Sequence, residues 1–294
     1  MLRPTRQRIL WPLVAALTGC GGGIPSEDDA VVTSTEGIVG GTDSGRGNWP
    51  SLVALSNVTF THQPWGCAGT LIAPTWVLTA GHCVSNTPEN VLPIPSNFYV
   101  LTGRYNIVSD SGGQIFAKSI VLPDNYNPTI RVPDIALINL VSPAAVPSSR
   151  LASPARMAEI VAGSMATTLG WGETISNDAT SLSQTLRRAD IPVFDYSSGG
   201  TTYASGAQFM DLATIPESPV GTSFGDSGGP SLVQRDGEWY ILGVNTLTFI
   251  DPNGLLSRET PAATWFDWVI GKGASPNPSY LPSAQIEAAT AVTL

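Results

Sequence analysis

The chain has 294 residues, of which 13% are charged, 30 are glycine and 24 are proline, with a net charge of −9 at neutral pH. So much glycine and proline with so few charges indicates short strands joined by turns and excludes a coiled coil or a helical repeat. Lys118 and Lys272 are the only lysines, so no basic stripe exists to neutralise phosphates, and nucleic acid is excluded as a partner.

Arg3, Arg6 and Arg8 precede a short apolar run at 9–17, interrupted by Pro12 and followed by Leu17-Thr18-Gly19-Cys20. A small residue directly before a cysteine at the end of such a run resembles the bacterial lipobox. Residues 1–19 therefore read as a lipoprotein signal peptide, with lipid carried by Cys20, and 20–37 as a tether and propeptide. An ordinary secretory signal is the alternative. Either reading exports the protein, and the lipoprotein reading holds the precursor on a membrane. Uncharged Gly21 is compatible with the outer one. With Cys20 modified, Cys67 and Cys83 remain as a pair in an oxidising compartment. A metal site built on these two cysteines has no further visible ligands.

From residue 38 the pattern is β. Segments 51–55, 69–72, 76–78, 98–101, 120–122, 135–140, 165–169, 191–194, 230–233 and 239–247 are apolar and β-branched, with Gly, Pro, Asn, Asp or Ser between most of them. One helix is expected late, with Thr260 as its cap, Pro261 in the first turn and 262–270 as its body, stopped by Gly271 and Gly273. The proline-containing tail, 273–294, reads as extended or disordered.

Three local motifs carry chemistry. Thr79-Ala80-Gly81-His82-Cys83 holds one of only two histidines, His62 being the other. Asp134 stands at the mouth of an apolar strand, and Gly225-Asp226-Ser227-Gly228-Gly229-Pro230 sets a serine in a glycine-rich turn. A serine hydroxyl is a weak nucleophile. A neutral imidazole must take its proton, and a buried carboxylate must fix the imidazole's tautomer. Chain order separates the rival scaffolds. In an α/β-hydrolase the histidine follows the serine, and no histidine follows Ser227. The order Asp, His, Ser of subtilisin would need Asp28, Asp29 or Asp43, none of them in a convincing strand. The order His82, Asp134, Ser227 remains.

These motifs, with Ile38-Val39-Gly40-Gly41, Trp49-Pro50, Gly170-Trp171-Gly172 and Phe266-Asp267-Trp268-Val269, resemble the trypsin/chymotrypsin-like serine protease family across 38–272. The resemblance implies an all-β fold of two six-stranded antiparallel β-barrels with a C-terminal helix and a site in the cleft between them. It implies a serine endopeptidase forming an acyl-enzyme, with Ser227 as nucleophile, His82 as general base and Asp134 as the orienting carboxylate. Gly225 and Ser227 N–H groups would form the oxyanion hole, Cys67 and Cys83 a disulfide, and Asp226 an ion pair with the freed α-amino group of Ile38. Thr246 stands where a hydroxyl supports the triad carboxylate.

Several positions depart from the family pattern. Trypsin has an aspartate six residues before the serine. Here that residue is Gly221, which favours a small or medium uncharged side chain before the scissile bond. Leu247-Thr248 replaces Trp-Gly in the substrate-binding strand, beside Thr246. The rebuilt wall leaves room for a carboxylate, Glu217 or Asp251. Glu36-Gly37 precedes Ile38 in place of Arg or Lys, so the activating cut after Gly37 would need another protease or an unusual self-cleavage, and that cut would also release the domain from its lipid. The loop 106–114 offers only Asp110 to a calcium ion, so neither metal nor cofactor is expected. Protein or peptide substrates are the expected partners. A catalytically silent binding module on the same fold and an esterase are the alternatives.

Overall fold

A computed structural model describes residues 38–58, 65–85, 94–195, 201–202, 208–213, 220–251 and 254–274. The signal segment, Cys20, the tether, His62, Glu217 and the tail beyond 274 lie outside the described residues, as does the side chain of Asp251.

The first six segments become β1 (Leu52–Asn57), β2 (Cys67–Ala73), β3 (Trp76–Thr79), β4 (Phe98–Thr102), β5 (Gly113–Val121) and β6 (Ala136–Leu140). They pair antiparallel in the order β1-β2-β3-β6-β5-β4, and β4 closes on β1 through Ala54 opposite Leu101. The second set is β7 (Met165–Gly170), β8 (Arg187–Asp195), β9 (Gln208–Ala213), β10 (Pro230–Arg235), β11 (Glu238–Asp251) and β12 (Gly254–Pro261). Its order is β7-β8-β9-β12-β11-β10, closed by β10 against β7 through Ser231 opposite Thr168. The two barrels therefore share one strand order, although the sequence shows no repeat. Closure leaves neither six-stranded sheet with an open edge.

Each barrel has its own apolar filling. Val53, Leu55, Leu71, Val77, Val100 and Ile138 pack in the first, and Ile191, Val193, Leu212, Val233 and Leu242 in the second. A third cluster joins the lobes, running from Leu52, Leu78 and Ile135 to Leu169, Trp171 and Leu232. Burial of this seam fixes one barrel against the other and so fixes the cleft between them.

The expected helix divides into two kinds of turn. A 3₁₀ turn at Ala262–Trp265 leads into an α-helix at Phe266–Gly271. Thr260 does not cap it. Thr260 belongs to β12, and its hydroxyl donates to the Asp134 carbonyl at 3.1 Å. Ala274 is fully buried, so packing continues past the expected boundary at 272. In the loop where a calcium ion was considered, Asp110 accepts from the Arg46 guanidinium at 2.8 Å and from the backbone N–H groups of Tyr105 and Asn106. These donors hold that carboxyl below its ordinary range, the Arg46 bond foremost.

Candidate active site

β3 delivers the chain into a 3₁₀ turn, Gly81–Cys83, which carries His82. Two constraints shape this turn. A Cβ on Gly81 would lie 2.7 Å from the Tyr126 ring, so any side chain there would have to displace that tyrosine. Cys83 is disulfide-bonded to Cys67 at the start of β2, tying the turn to the barrel wall. Because both sulfurs are consumed by that bond, the neighbouring Cys67, His82 and Cys83 side chains offer no thiolate to a metal ion. The bridge spans 16 residues, a loop for which chain-entropy arguments give roughly 3 kcal/mol. Replacing both cysteines with alanine is expected to remove about that much stability, read as a lower urea midpoint.

Asp134 is completely buried just before β6. Its Oδ1 accepts the His82 backbone N–H at 2.8 Å, and its Oδ2 lies 2.7 Å from His82 Nδ1. A carboxylate in that position requires the proton on Nδ1. The lone pair then sits on Nε2, the atom from which a general base acts. No hydrogen bond joins Nε2 to Ser227 among the described residues, a looseness common in resting sites.

The turn holding Ser227 bends through two left-handed glycines, Gly225 (φ 96°) and Gly228 (φ 78°). It docks on the first barrel. The Ser227 carbonyl accepts from Ala68 N–H at 2.7 Å, and a Cβ on Gly228 would strike Thr79 Oγ1 at 2.2 Å and the Ala68 carbonyl at 2.5 Å. The serine turn is thereby held against the strand that leads to His82. The N–H groups of Gly225 and Ser227 donate to no protein group among the described residues, leaving two adjacent donors available.

Asp226, beside the serine, is fully buried and accepts from Gly172 N–H at 2.8 Å and Ser223 N–H at 2.9 Å. The Gly170-Trp171-Gly172 motif has its reason here. Side chains at either glycine would occupy the space of the Asp226 carboxylate, with contacts of 1.9 and 2.5 Å. Burial, with some repulsion from Glu173, pushes the Asp226 carboxyl up to about 7 despite the two backbone donors. Ile38 is also fully buried, and Val39 pairs with Gly221 in the segment leading to Ser223 and Asp226.

A cavity of about 350 Å³ opens beside Ser227. Thr246, Leu247 and Thr248 form one wall, where β11 breaks register with β12 between Asn245 and Leu247. Gly221 is not among the lining residues. Thr222 and Ser223 line the cavity in its place, and Thr222 Oγ1 lies 2.7 Å from Thr248 Oγ1 and 2.9 Å from Ser257 Oγ. The Thr246 hydroxyl does not reach the Asp134 carboxylate. It bonds the Val244 carbonyl and Thr260 Oγ1, and Thr260 in turn holds the Asp134 carbonyl, because the register break turns Thr246 toward β12. Among the described residues, the carboxylate that lines the cavity is Glu173, which accepts from Ser223 Oγ and Asn177 N–H, each at 2.9 Å. Sequence reading missed Glu173, since it directly follows the Gly170–Gly172 motif and carries no pattern of its own. Phe224 and Arg131 are exposed at the cavity rim.

Two closed β-barrels with a histidine–aspartate pair on one and a glycine-flanked serine on the other define a two-barrel serine hydrolase. Residues 38–269 match the family model described as Trypsin, and the chain belongs to that family of serine endopeptidases. It is 29% identical to chymotrypsin-like elastase family member 1 of Macaca fascicularis over 245 residues, covering 79% of this chain and 88% of the relative. The human protein of the same name is also 29% identical, with 79% and 90% covered. Brachyurin of Leptuca pugilator is 30% identical over 196 residues, covering 66% of this chain and 80% of the relative.

Proposed function

We propose that the chain hydrolyses peptide bonds through an acyl-enzyme, with Ser227 as nucleophile, His82 as base and then acid, and Asp134 as the orienting carboxylate. The observation that carries this reading is the pair of Asp134 bonds to His82, which dictates the tautomer that general-base catalysis needs. Ser227 Oγ attacks the scissile carbonyl while Nε2 takes its proton. The carbonyl oxygen gathers negative charge between the N–H groups of Gly225 and Ser227. The imidazolium then protonates the leaving amine, and water repeats the sequence on the ester.

The chain is made as a zymogen in this reading, cut after Gly37 by another protease. The new Ile38 ammonium then supplies a cation to the buried Asp226 carboxyl, and their ion pair sets the turn of Gly225 and Ser227. The raised Asp226 carboxyl and the burial of Ile38 support this. Lipid on Cys20 anchors the exported precursor to a membrane, and the same cut releases the domain. Active enzyme that still carried a lipidated N-terminus would overturn the release.

Hydroxyl groups of Thr222 and Thr248 bonded to each other, in place of a charge at Gly221, support a preference for a small or medium uncharged residue before the cut. The test is a mixed-peptide digestion by protein cut to an Ile38 terminus, alongside labelling by a fluorophosphonate. Labelling of Ser227 with cleavage after uncharged residues is the expected result. A clear preference for Arg or Lys would overturn the pocket reading. Absence of both labelling and cleavage would favour the silent binding module, and turnover of esters but not amides the esterase.

A further inference from the structure

The second barrel holds a polar cluster where apolar filling would be expected. Thr168 on β7, Ser231 on β10, Asn245 on β11 and Glu259 on β12 come from four successive strands of the barrel order and are all buried. Asn245 stands at its centre. Its Oδ1 accepts from Ser231 Oγ at 3.4 Å, and its carboxamide also bonds Thr168 Oγ1. Its Nδ2 donates to the carbonyl of Asp226 at 3.1 Å. Its main chain grips the same turn further along. Asn245 N–H donates to the Gly229 carbonyl at 2.9 Å and its carbonyl accepts Gly228 N–H at 2.8 Å.

The bond to Asp226 has a consequence set by covalent geometry. The Asp226 carbonyl and the Ser227 N–H are opposite ends of one planar peptide group. Whatever fixes the direction of that carbonyl fixes the direction of the N–H, and the two point away from each other. The Gly229 N–H also donates to this carbonyl at 3.0 Å, but it belongs to the turn itself and moves with it. The Asn245 donor is anchored outside the turn, in the barrel wall. We propose that Asn245 is a positioning residue for acyl transfer, holding the Asp226–Ser227 peptide so that the Ser227 N–H faces the developing oxyanion. The inference rests on the serine-protease reading above and adds the residue that orients one of its two donors.

The experiment compares wild type with Asn245→Leu and with the nearly isosteric Asn245→Asp, each expressed as the full chain and cut to an Ile38 terminus. The substrate carries alanine before the scissile bond, because Asn245 also lines the cavity and a methyl group does not fill it. The leucine variant is expected to lose about tenfold to a hundredfold in kcat, less than outright removal of an oxyanion donor, with KM within about twofold. A peptide aldehyde, whose adduct with serine carries the oxyanion, is expected to bind more weakly by the same factor. The aspartate variant keeps the volume and exchanges the Nδ2 donor for a carboxyl oxygen facing the Asp226 carbonyl, so it tests the donor where the leucine variant fails to fold. Wild-type kcat in a folded variant, or a loss in KM without loss in kcat and aldehyde affinity, would overturn the assignment. An inactive wild type would instead count against the protease reading.

Discussion

Ser227→Ala is expected to lower kcat for peptide hydrolysis by about 10⁶, with little change in KM, measured by single-turnover cleavage of a defined peptide. The methyl group leaves the docked turn and its free N–H donors in place, so the residual rate measures what binding and the oxyanion donors supply alone. Asp134→Asn is expected to cost about 10⁴. A carboxamide can present its N–H to Nδ1, and the histidine would then carry its proton on Nε2, the wrong atom for a base. Combining Ser227→Ala with His82→Ala is expected to cost no more than the first change, because in the proposed mechanism the histidine acts only through the serine. An additive double variant would mean that His82 has a second catalytic role. A largely active Ser227→Ala variant would mean that another group is the nucleophile.

The second large effect concerns stability. Glu259 is fully buried, and neither carboxyl oxygen has a hydrogen-bond partner among the described residues. Burial pushes the carboxyl up to about 8. The Ser231 hydroxyl, near but not bonded, favours ionisation slightly, and the negative charge of Asp211 opposes it. Asp211 itself is paired with Arg258 at 2.8 Å on the same two strands. Glu259 is raised, so the folded chain keeps its proton between the ordinary value of 4.5 and about 8, while the unfolded chain gives it up. Stability therefore falls as pH rises through that window, by a total on the order of a few kcal/mol, and the loss is complete above pH 8. Glu259→Gln keeps the shape without an ionisable proton. It is expected to gain roughly 3–5 kcal/mol over the parent at pH 8 and little or nothing at pH 4.5. Urea unfolding on a Ser227→Ala background, which prevents self-digestion, measures the difference. Asp226, also raised, is common to both proteins and cancels. Equal pH slopes in the two proteins would show that Glu259 is charged or solvated in the folded state.

Glu259 also explains where the barrel was hidden from sequence reading. Strands β9 and β12 were not expected at all. β9 reads Gln208-Phe209-Met210-Asp211-Leu212-Ala213, and β12 carries Ser257-Arg258-Glu259-Thr260 in its second half. Those polar residues resemble a loop until the partner strand is known. Asp211 and Arg258 then neutralise each other across the β9–β12 ladder, and Thr260 reaches the Asp134 carbonyl. β5 was expected only at 120–122 and runs over Gly113–Val121, since its first half is largely exposed and lacks the apolar signal. The helix cap failed for a related reason. Thr260 has the right identity and spacing for a cap, but a buried carbonyl from the other barrel competes for its hydroxyl.

The motifs around His82, Asp134 and Ser227 were legible because their chemistry is local. Glycines that bend a turn, a cysteine beside the histidine and a strand behind the aspartate are all readable within a few residues. The sequence by itself determined the β class, the chain order of the three groups and the absence of a charge at Gly221. Only the tertiary structure decided which hydroxyls line the cavity, that Thr246 bonds Thr260 in place of the Asp134 carboxylate, and that Asn245 grips the serine turn. These contacts join residues 14 to 126 positions apart, and strand register and barrel closure, which no local pattern encodes, bring them within hydrogen-bond distance.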